Sequence, residues 1–123
     1  MSGVGRRARA RREYLDAIDA LDAADQRLRV QLSRARRSRA LLRSHLMNGG
    51  DAAGCREILD LRQASGDFDG AVSDLMAERR RAQRAMYQLS EAEGMNATEI
   101  ARTWGVSRQF VSRVLNRSDH SKP

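Results

Sequence analysis

Residues 96–116 read NATEIARTWGVSRQFVSRVLN and decide the fold of this chain, because they specify two short helices around a tight turn. Asn96 is a preferred helix N-cap, and Glu99 three residues later completes a capping-box pair. Gly105 can take the positive φ of the position after a helix, and Ser107 is a good N-cap for the next helix. The stretch therefore predicts a helix, a turn of about three residues and a second helix.

The side chains of this stretch divide into an inward and an outward set. The inward set is mostly apolar and consists of Ile100, Ala101, Trp104, Val106, Val111 and either Val114 or Leu115. Within it, Ala101 is small enough to let the second helix cross close by. The outward set of the second helix consists almost entirely of hydrogen-bond donors: Ser107, Arg108, Gln109, Ser112, Arg113 and Asn116.

This pattern resembles that of the bacterial helix-turn-helix superfamily, which includes repressors, resolvase-type recombinases and the carboxy-terminal domain of sigma factors. The matching residues are Ala101, Gly105, Val106, Ser107, Val111 and Val114. The resemblance covers residues 96–116 only, and Trp104 departs from the aliphatic residue that is more usual at its position. It implies that the chain binds double-stranded DNA with the second helix in the major groove. The alternative is a plain helical hairpin.

The resemblance also implies which side chains meet DNA. Those expected near base edges are Ser107, Arg108, Gln109 and Ser112, and those expected near phosphates are Thr98, Arg102, Arg113, Asn116 and Arg117. The chemistry agrees, because Arg pairs bidentately with guanine, Gln pairs with adenine, and a helix N-terminus favours phosphate. Each of these residues alone is more often part of a solvated helix face. Together, beside the turn, they indicate a DNA interface.

The composition of the chain is basic and rich in helix-forming residues. The 123 residues include 23 Lys and Arg against 16 Asp and Glu, for a net charge of +7. Every basic residue except Lys122 is arginine, the side chain suited to phosphate and guanine contacts. A polyanionic partner is the natural inference. Helix-forming residues dominate, and almost no run is rich in strand formers, so the sequence predicts an all-α protein.

Several classes of site are not indicated. A lone cysteine, Cys55, excludes an intramolecular disulfide framework and fits a reducing cytoplasm. No run approaches about 18 apolar residues, so we expect no membrane segment and a cytoplasmic, nucleoid-associated protein. His45, Cys55 and His120 lack metal-ligand spacing, and neither a Gly-rich phosphate loop nor a Ser/His/acid set is suggested. We therefore expect no enzyme, no catalytic residues, no cofactor and no metal.

A long helical arm is predicted at residues 6–47, which contain neither Gly nor Pro. Its apolar stripe alternates spacings of four and three: Tyr14, Ile18, Leu21, Asp25, Leu28, Leu32, Ala35, Arg39, Leu42 and Leu46. Such a stripe is typical of a coiled coil, and it needs a partner helix.

The partner is predicted to be a second arm at residues 51–93, after a break at Asn48-Gly49-Gly50. Asp51 is a candidate N-cap for this arm. Folding at Gly49 sets opposite charges facing each other: Arg27 and Arg29 opposite Asp69 and Asp67, and Asp16, Asp19 and Asp22 opposite Arg79, Arg80 and Arg81. The result is a long antiparallel helical hairpin. Gly66 and Gly70 leave open whether the second arm is one helix or two.

The domain organisation follows from these elements. We predict that residues 1–93 form the hairpin, that residues 86–117 form the helix-turn-helix module, and that residues 118–123 form a disordered tail. The module shares the end of the second arm, where Met86, Tyr87 and Leu89 supply its extra helix and Gly94 caps it. The hairpin also brings five basic residues beside the module, either as phosphate contacts or as a disordered tail: Arg6, Arg7, Arg9, Arg11 and Arg12.

A homodimer is predicted from apolar residues that lie off the main stripe, namely Leu15, Val30, Leu41 and Leu59. Pairing two hairpins would cover them in a four-helix bundle. Three functions remain open. The first is a dimeric, sequence-specific transcriptional regulator, and the second is a DNA-binding accessory of a recombination, transposition or plasmid system. The third is a coiled-coil adaptor whose module binds protein such as RNA polymerase.

Overall fold

The computed structural model describes residues 3–64 and 67–117. These residues form five α-helices and no strand: α1 (Gly3–Met47), α2 (Ala52–Ala64), α3 (Phe68–Ala92), α4 (Ala97–Trp104) and α5 (Arg108–Asn116). The all-α prediction is confirmed. The predicted disordered tail at 118–123 lies outside the described residues. No helix in the described part of the chain is long and apolar enough to cross a membrane.

The chain divides into two compact units. Unit 1 joins the start of α1, residues 3–22, to residues 76–117, which contain the end of α3 with α4 and α5. Unit 2 spans the described residues between 23 and 75, and contains the rest of α1, all of α2 and the start of α3. Helices α1 and α3 therefore contribute to both units.

The predicted break after the first arm is confirmed. Gly49 has φ +82°, a left-handed conformation that ends α1, and the Gly50 N–H donates to the carbonyl oxygen of His45 at 2.8 Å. Asp51 caps α2, since its carboxylate accepts from the Gly54 N–H at 2.8 Å. The turn thus uses the residues that the sequence assigns to it.

The His45 ring occupies the space beside two glycines of this turn. Its Nε2 lies 3.0 Å from the carbonyl oxygen of Asp51, and a Cβ added at either Gly50 or Gly54 would collide with the ring. Gly54 lies inside helix α2, and its lack of a side chain leaves space for the His45 ring.

A double-mutant cycle tests this contact. In the His45→Ala background, Gly54→Ala is expected to stabilise the protein by about 1 kcal/mol, because Ala is the better helix former. In the wild type the gain should be smaller, because the new methyl group displaces the ring. Urea unfolding of the four proteins measures the coupling. Equal gains in the two backgrounds would show that the ring does not pack there.

The second arm is two helices, which answers the question left open by its glycines. The Asp67 carboxylate accepts from the Gly70 N–H at 2.9 Å and so caps α3, while the Asp67 N–H donates to Gln31 of α1 at 3.2 Å. Gly70 leaves room for that carboxylate, which a Cβ would meet. Gly66 lies outside the described residues.

The packed stripe of α1 differs from the predicted one at every second position. The buried or half-buried stripe is Ala10, Tyr14, Ala17, Leu21, Ala24, Leu28, Gln31, Ala35, Ser38, Leu42 and His45. Tyr14, Leu21, Leu28, Ala35 and Leu42 belong to both stripes.

Of the other predicted positions, Ile18 and Asp25 are half-buried, whereas Leu32, Arg39 and Leu46 are exposed, so the prediction is wrong at these three. Leu32 and Leu46 are 48% and 56% exposed, whereas Ala17 and Ala24 are fully buried. Small side chains let another helix approach closely, and Ala17 clusters with Ala82 and Ala85 of α3. Helix α1 therefore packs through its small alanine side chains and leaves Leu32 and Leu46 exposed.

The charge register is also corrected. Arg27 pairs with Asp74 at 3.6 Å rather than with Asp69, and Arg29 pairs with Asp25 of its own helix at 3.0 Å. Arg81 likewise contacts Glu78, one turn away in the same helix, at 3.4 Å. Pairs of this local kind contribute only about 0.3–0.5 kcal/mol each. Charge therefore has less influence on the alignment of the helices than the alanine contacts.

Candidate nucleic-acid interface

Unit 1 contains a three-helix core formed by the end of α3 with α4 and α5. The fully packed residues of this core are Tyr87, Ile100, Ala101, Val111 and Val114. Around them lie the partly buried Met86, Met95, Ala97, Val106, Phe110 and Leu115. Tyr87 and Met86 confirm that the second arm supplies the extra helix. Burial raises the pKa of the Tyr87 phenol above its ordinary value.

Helix α4 begins with the predicted capping box. The Asn96 side-chain oxygen accepts from the Glu99 N–H at 2.9 Å, and the Glu99 carboxylate accepts from the Asn96 N–H at 3.0 Å. Just before it, Gly94 has φ +98° and the Met95 N–H donates to the carbonyl oxygen of Ser90. These bonds end α3 and fix the direction in which α4 leaves it.

The turn between α4 and α5 is as predicted. Gly105 has φ +67°, and the N–H groups of Gly105 and Val106 both donate to the carbonyl oxygen of Ala101. The Ser107 hydroxyl oxygen accepts from the Phe110 N–H at 3.0 Å, which caps α5. The turn is short and held at both ends, so the angle between the two helices is set locally.

Most of the inward set is confirmed. Ile100, Val111 and Val114 are fully buried, and Leu115 is half-buried. Of Val114 and Leu115, the two alternatives for the last inward position, Val114 is therefore the core residue. The prediction for Trp104 is wrong, because its side chain is 45% exposed. Trp104 is the last residue of α4.

The outward set lies on the surface of unit 1. Its exposed members are Ser107, Arg108, Gln109, Arg113 and Asn116, and Ser112 is half-buried. At about 100° per residue, Gln109 and Asn116 lie opposite Val111 and Val114 on α5, with Ser112 and Arg113 on either side. Arg108 falls on the flank of this strip.

Three of the residues predicted to contact phosphate lie outside this strip. Thr98 and Arg102 are exposed on α4, and Arg117 is half-buried just after α5, where its N–H donates to the carbonyl oxygen of Val114. Residues 95–117 contain four arginines and a single acidic residue, Glu99, whose carboxylate already accepts from the Asn96 N–H. The surface of this segment is therefore strongly positive.

One contact was missed by sequence reasoning. The Arg113 guanidinium carbon lies 5.8 Å from the centre of the Phe110 ring, a cation–π geometry. Phe110 is half-buried and packs against the core, so it restrains Arg113 from one side. The signal in the sequence is an aromatic and an arginine three residues apart on one helix.

Comparison with known protein families gives a match over part of the chain. Residues 76–122 match the family model of the homeodomain-like domain. The match covers less than half of the chain and takes in the second part of α3 as well as α4 and α5. The matched segment is similar to helix-turn-helix DNA-binding modules. No curated protein and no solved structure shows significant similarity to the chain.

Proposed function

We propose that this protein recognises specific sequences of double-stranded DNA by placing α5 in the major groove. The observation that carries the proposal is the turn at Gly105 between two capped helices, with a polar strip on α5 opposite the core. A helix held in this way presents side chains to base edges without local rearrangement. The positive surface around it matches the phosphate backbone.

Within this proposal, the side chains have distinct roles. Gln109 and Arg108 read bases, since their side chains pair bidentately with adenine and guanine. Ser107 and Ser112 assist them with hydroxyl groups that both donate and accept. Arg113, restrained by the Phe110 ring, contacts phosphate, as do the others of its set: Thr98, Arg102, Asn116 and Arg117.

Selection from random-sequence duplexes tests DNA recognition directly. We expect enrichment of a defined site, with binding that weakens steeply as salt rises, by about 0.9 log units per log unit of salt for each phosphate contacted. Affinities on the enriched site and on scrambled DNA give the specificity ratio. Equal affinity for both would contradict sequence-specific recognition.

We further propose that the protein acts as a dimeric transcriptional regulator. Dimerisation is supported by large apolar side chains that the single chain leaves exposed, including Val30, Leu41 and Leu59 of unit 2 at 41%, 42% and 40%. Leu15 of unit 1 is 56% exposed. A two-fold dimer would read two half-sites spaced by whole turns of DNA.

Light scattering tests the dimer. We expect the wild type to be dimeric at micromolar concentration, and the variant Leu41→Gln/Leu59→Gln to dissociate, because apolar area buried between copies is lost. The control is Leu46→Gln, a leucine of α1 that is more exposed, at 56%, and is not among the proposed contacts. A monomeric wild type would contradict the proposal.

A second candidate function is favoured by Trp104. An exposed tryptophan is a frequent anchor of protein interfaces, and this one lies beside the turn of the module. The module would then bind protein, as in the adaptor hypothesis. Failure of the random-sequence selection to enrich any duplex would favour this function over DNA recognition.

A further inference from the structure

We infer that the first turns of α1 are a second DNA-backbone contact, in which exposed arginines extend the footprint of the module along the duplex. The residues concerned are Arg6, Arg7, Arg9, Arg11 and Arg12, hereafter the α1 arginine cluster. The inference rests on the proposed DNA binding and adds to it a partner surface outside the helix-turn-helix.

The α1 arginine cluster belongs to a formed helix. Helix α1 begins at Gly3, so these five residues lie within the helix and not in a disordered tail. All five are exposed. Arg9 contacts Glu13 at 3.4 Å, and Glu13 is the sole acidic residue between Gly3 and Leu15. The segment is thus helical and carries a high density of positive charge.

Packing places the α1 arginine cluster at the same end of unit 1 as the start of α4. Ala17 packs against Ala82 and Ala85, and the contacts of Arg27 with Asp74 and Gln31 with Asp67 show that α1 and α3 run in opposite directions.

Moving back along α1 from Ala17 therefore moves forward along α3. Ala10 and Ser90 are both buried, at 9% and 5% exposure, as this register requires. The arginines that precede Ala10 then lie by the end of α3, where the chain turns at Gly94 into α4 and the exposed Thr98. At 1.5 Å per residue, residues 3–9 extend about 10 Å beyond Ala10.

The arginines in the first turns of α1 destabilise the start of the helix. The N-terminal end of a helix carries partial positive charge and favours acidic side chains, yet α1 has none in its first turn. Arginines there are repelled by the helix and by one another. A bound polyanion removes both penalties, because phosphate groups of DNA supply the missing negative charge.

The test removes three of these charges while keeping good helix formers. Arg6→Gln/Arg7→Gln/Arg9→Gln is compared with Arg36→Gln/Arg37→Gln/Arg39→Gln, which removes the same charge from exposed positions of α1 in unit 2. Full-length proteins are titrated with the selected site and with scrambled DNA of equal length, at several salt concentrations. Circular dichroism confirms that both variants keep their helices.

We expect the first variant to bind both DNAs at least tenfold more weakly at about 0.1 M salt, with a salt slope shallower by one to three units and unchanged sequence preference. The control should change little. A duplex trimmed to the base pairs protected by the module should abolish the difference between the two variants.

The outcomes separate this inference from the function on which it rests. The second contact would be overturned if the wild type binds the selected site and the first variant loses no more affinity for DNA than the control. DNA recognition would then remain intact. A wild type that binds no duplex at all would overturn the DNA-binding proposal and this inference with it.

Discussion

Replacing Tyr87 by Ala is expected to destabilise the helix-turn-helix module by about 3 to 5 kcal/mol, a large part of the stability of a small domain. Tyr87 is 1% exposed and joins the cluster that holds Ile100 and Val111. Its removal would leave a cavity where α3, α4 and α5 meet. Thermal melting followed by circular dichroism should show a much lower Tm, and DNA binding should be lost in parallel. An unchanged Tm would contradict the proposed core.

Tyr87→Phe is the matched control, because it keeps the ring and removes only the hydroxyl. Since burial raises the phenol pKa of Tyr87 from 10.0, the folded state disfavours the phenolate. The corresponding stability is complete below the unfolded pKa and is lost as the pH rises through the folded one. As the pH rises above about 10, the wild type should therefore lose more stability than Tyr87→Phe.

Replacing Gln109 by Ala is expected to weaken binding to the selected site by about 1 to 3 kcal/mol and to relax the preference at one base pair. Gln109 is exposed at the centre of the polar strip, so the fold should be unaffected. Arg108→Ala should act in the same way at another base pair. Affinities for a panel of single-base variants of the site give the measurement.

Arg113→Ala supplies the contrast. Its loss should weaken binding to all sequences alike and make the salt slope shallower by about one unit, because phosphate contacts carry no sequence information. If Arg108→Ala and Gln109→Ala both left specificity intact in folded protein, α5 would not be the reading helix. The adaptor function would then be favoured.

The helix-turn-helix could be predicted from the sequence because its determinants are local. The capping box joins Asn96 to Glu99, and Ser107 caps through Phe110, so each bond spans three residues. Gly105 meets a backbone requirement that is independent of distant contacts. Such features depend little on the rest of the fold, and all were found where the sequence placed them.

The packing of α1 could be predicted only in part, because it depends on a partner helix. Hydrophobicity favours Leu32 and Leu46 over Gln31 and His45, their neighbours in the packed stripe, so a stripe chosen by hydrophobicity includes the two leucines. Contact with α3 reverses the preference, since Ala17 allows an approach that leucine would prevent. The spacing of seven between Ala10, Ala17 and Ala24 was the available signal.

The candidate site shows the same division between local and distant effects. The polar outward positions of α5 follow from helical spacing around Val111 and Val114, and the structure leaves them on the surface. Trp104 was misplaced because its burial depends on how much of the crossing Ile100 and Ala101 already fill. Restraint of Arg113 by Phe110 depends on rotamers, which spacing does not determine.

The joining of residues 3–22 to residues 76–117 in unit 1 has a consequence for the order in which the chain folds during synthesis. Ala17 is made long before Ala82 and Ala85, against which it packs. At about 5–20 residues per second, the interval is roughly 3 to 13 seconds. Throughout that time the alanine face of the nascent α1 has no partner from its own chain, whereas α4 and α5 can pair as soon as both have left the ribosome. Unit 1 therefore closes late in biogenesis.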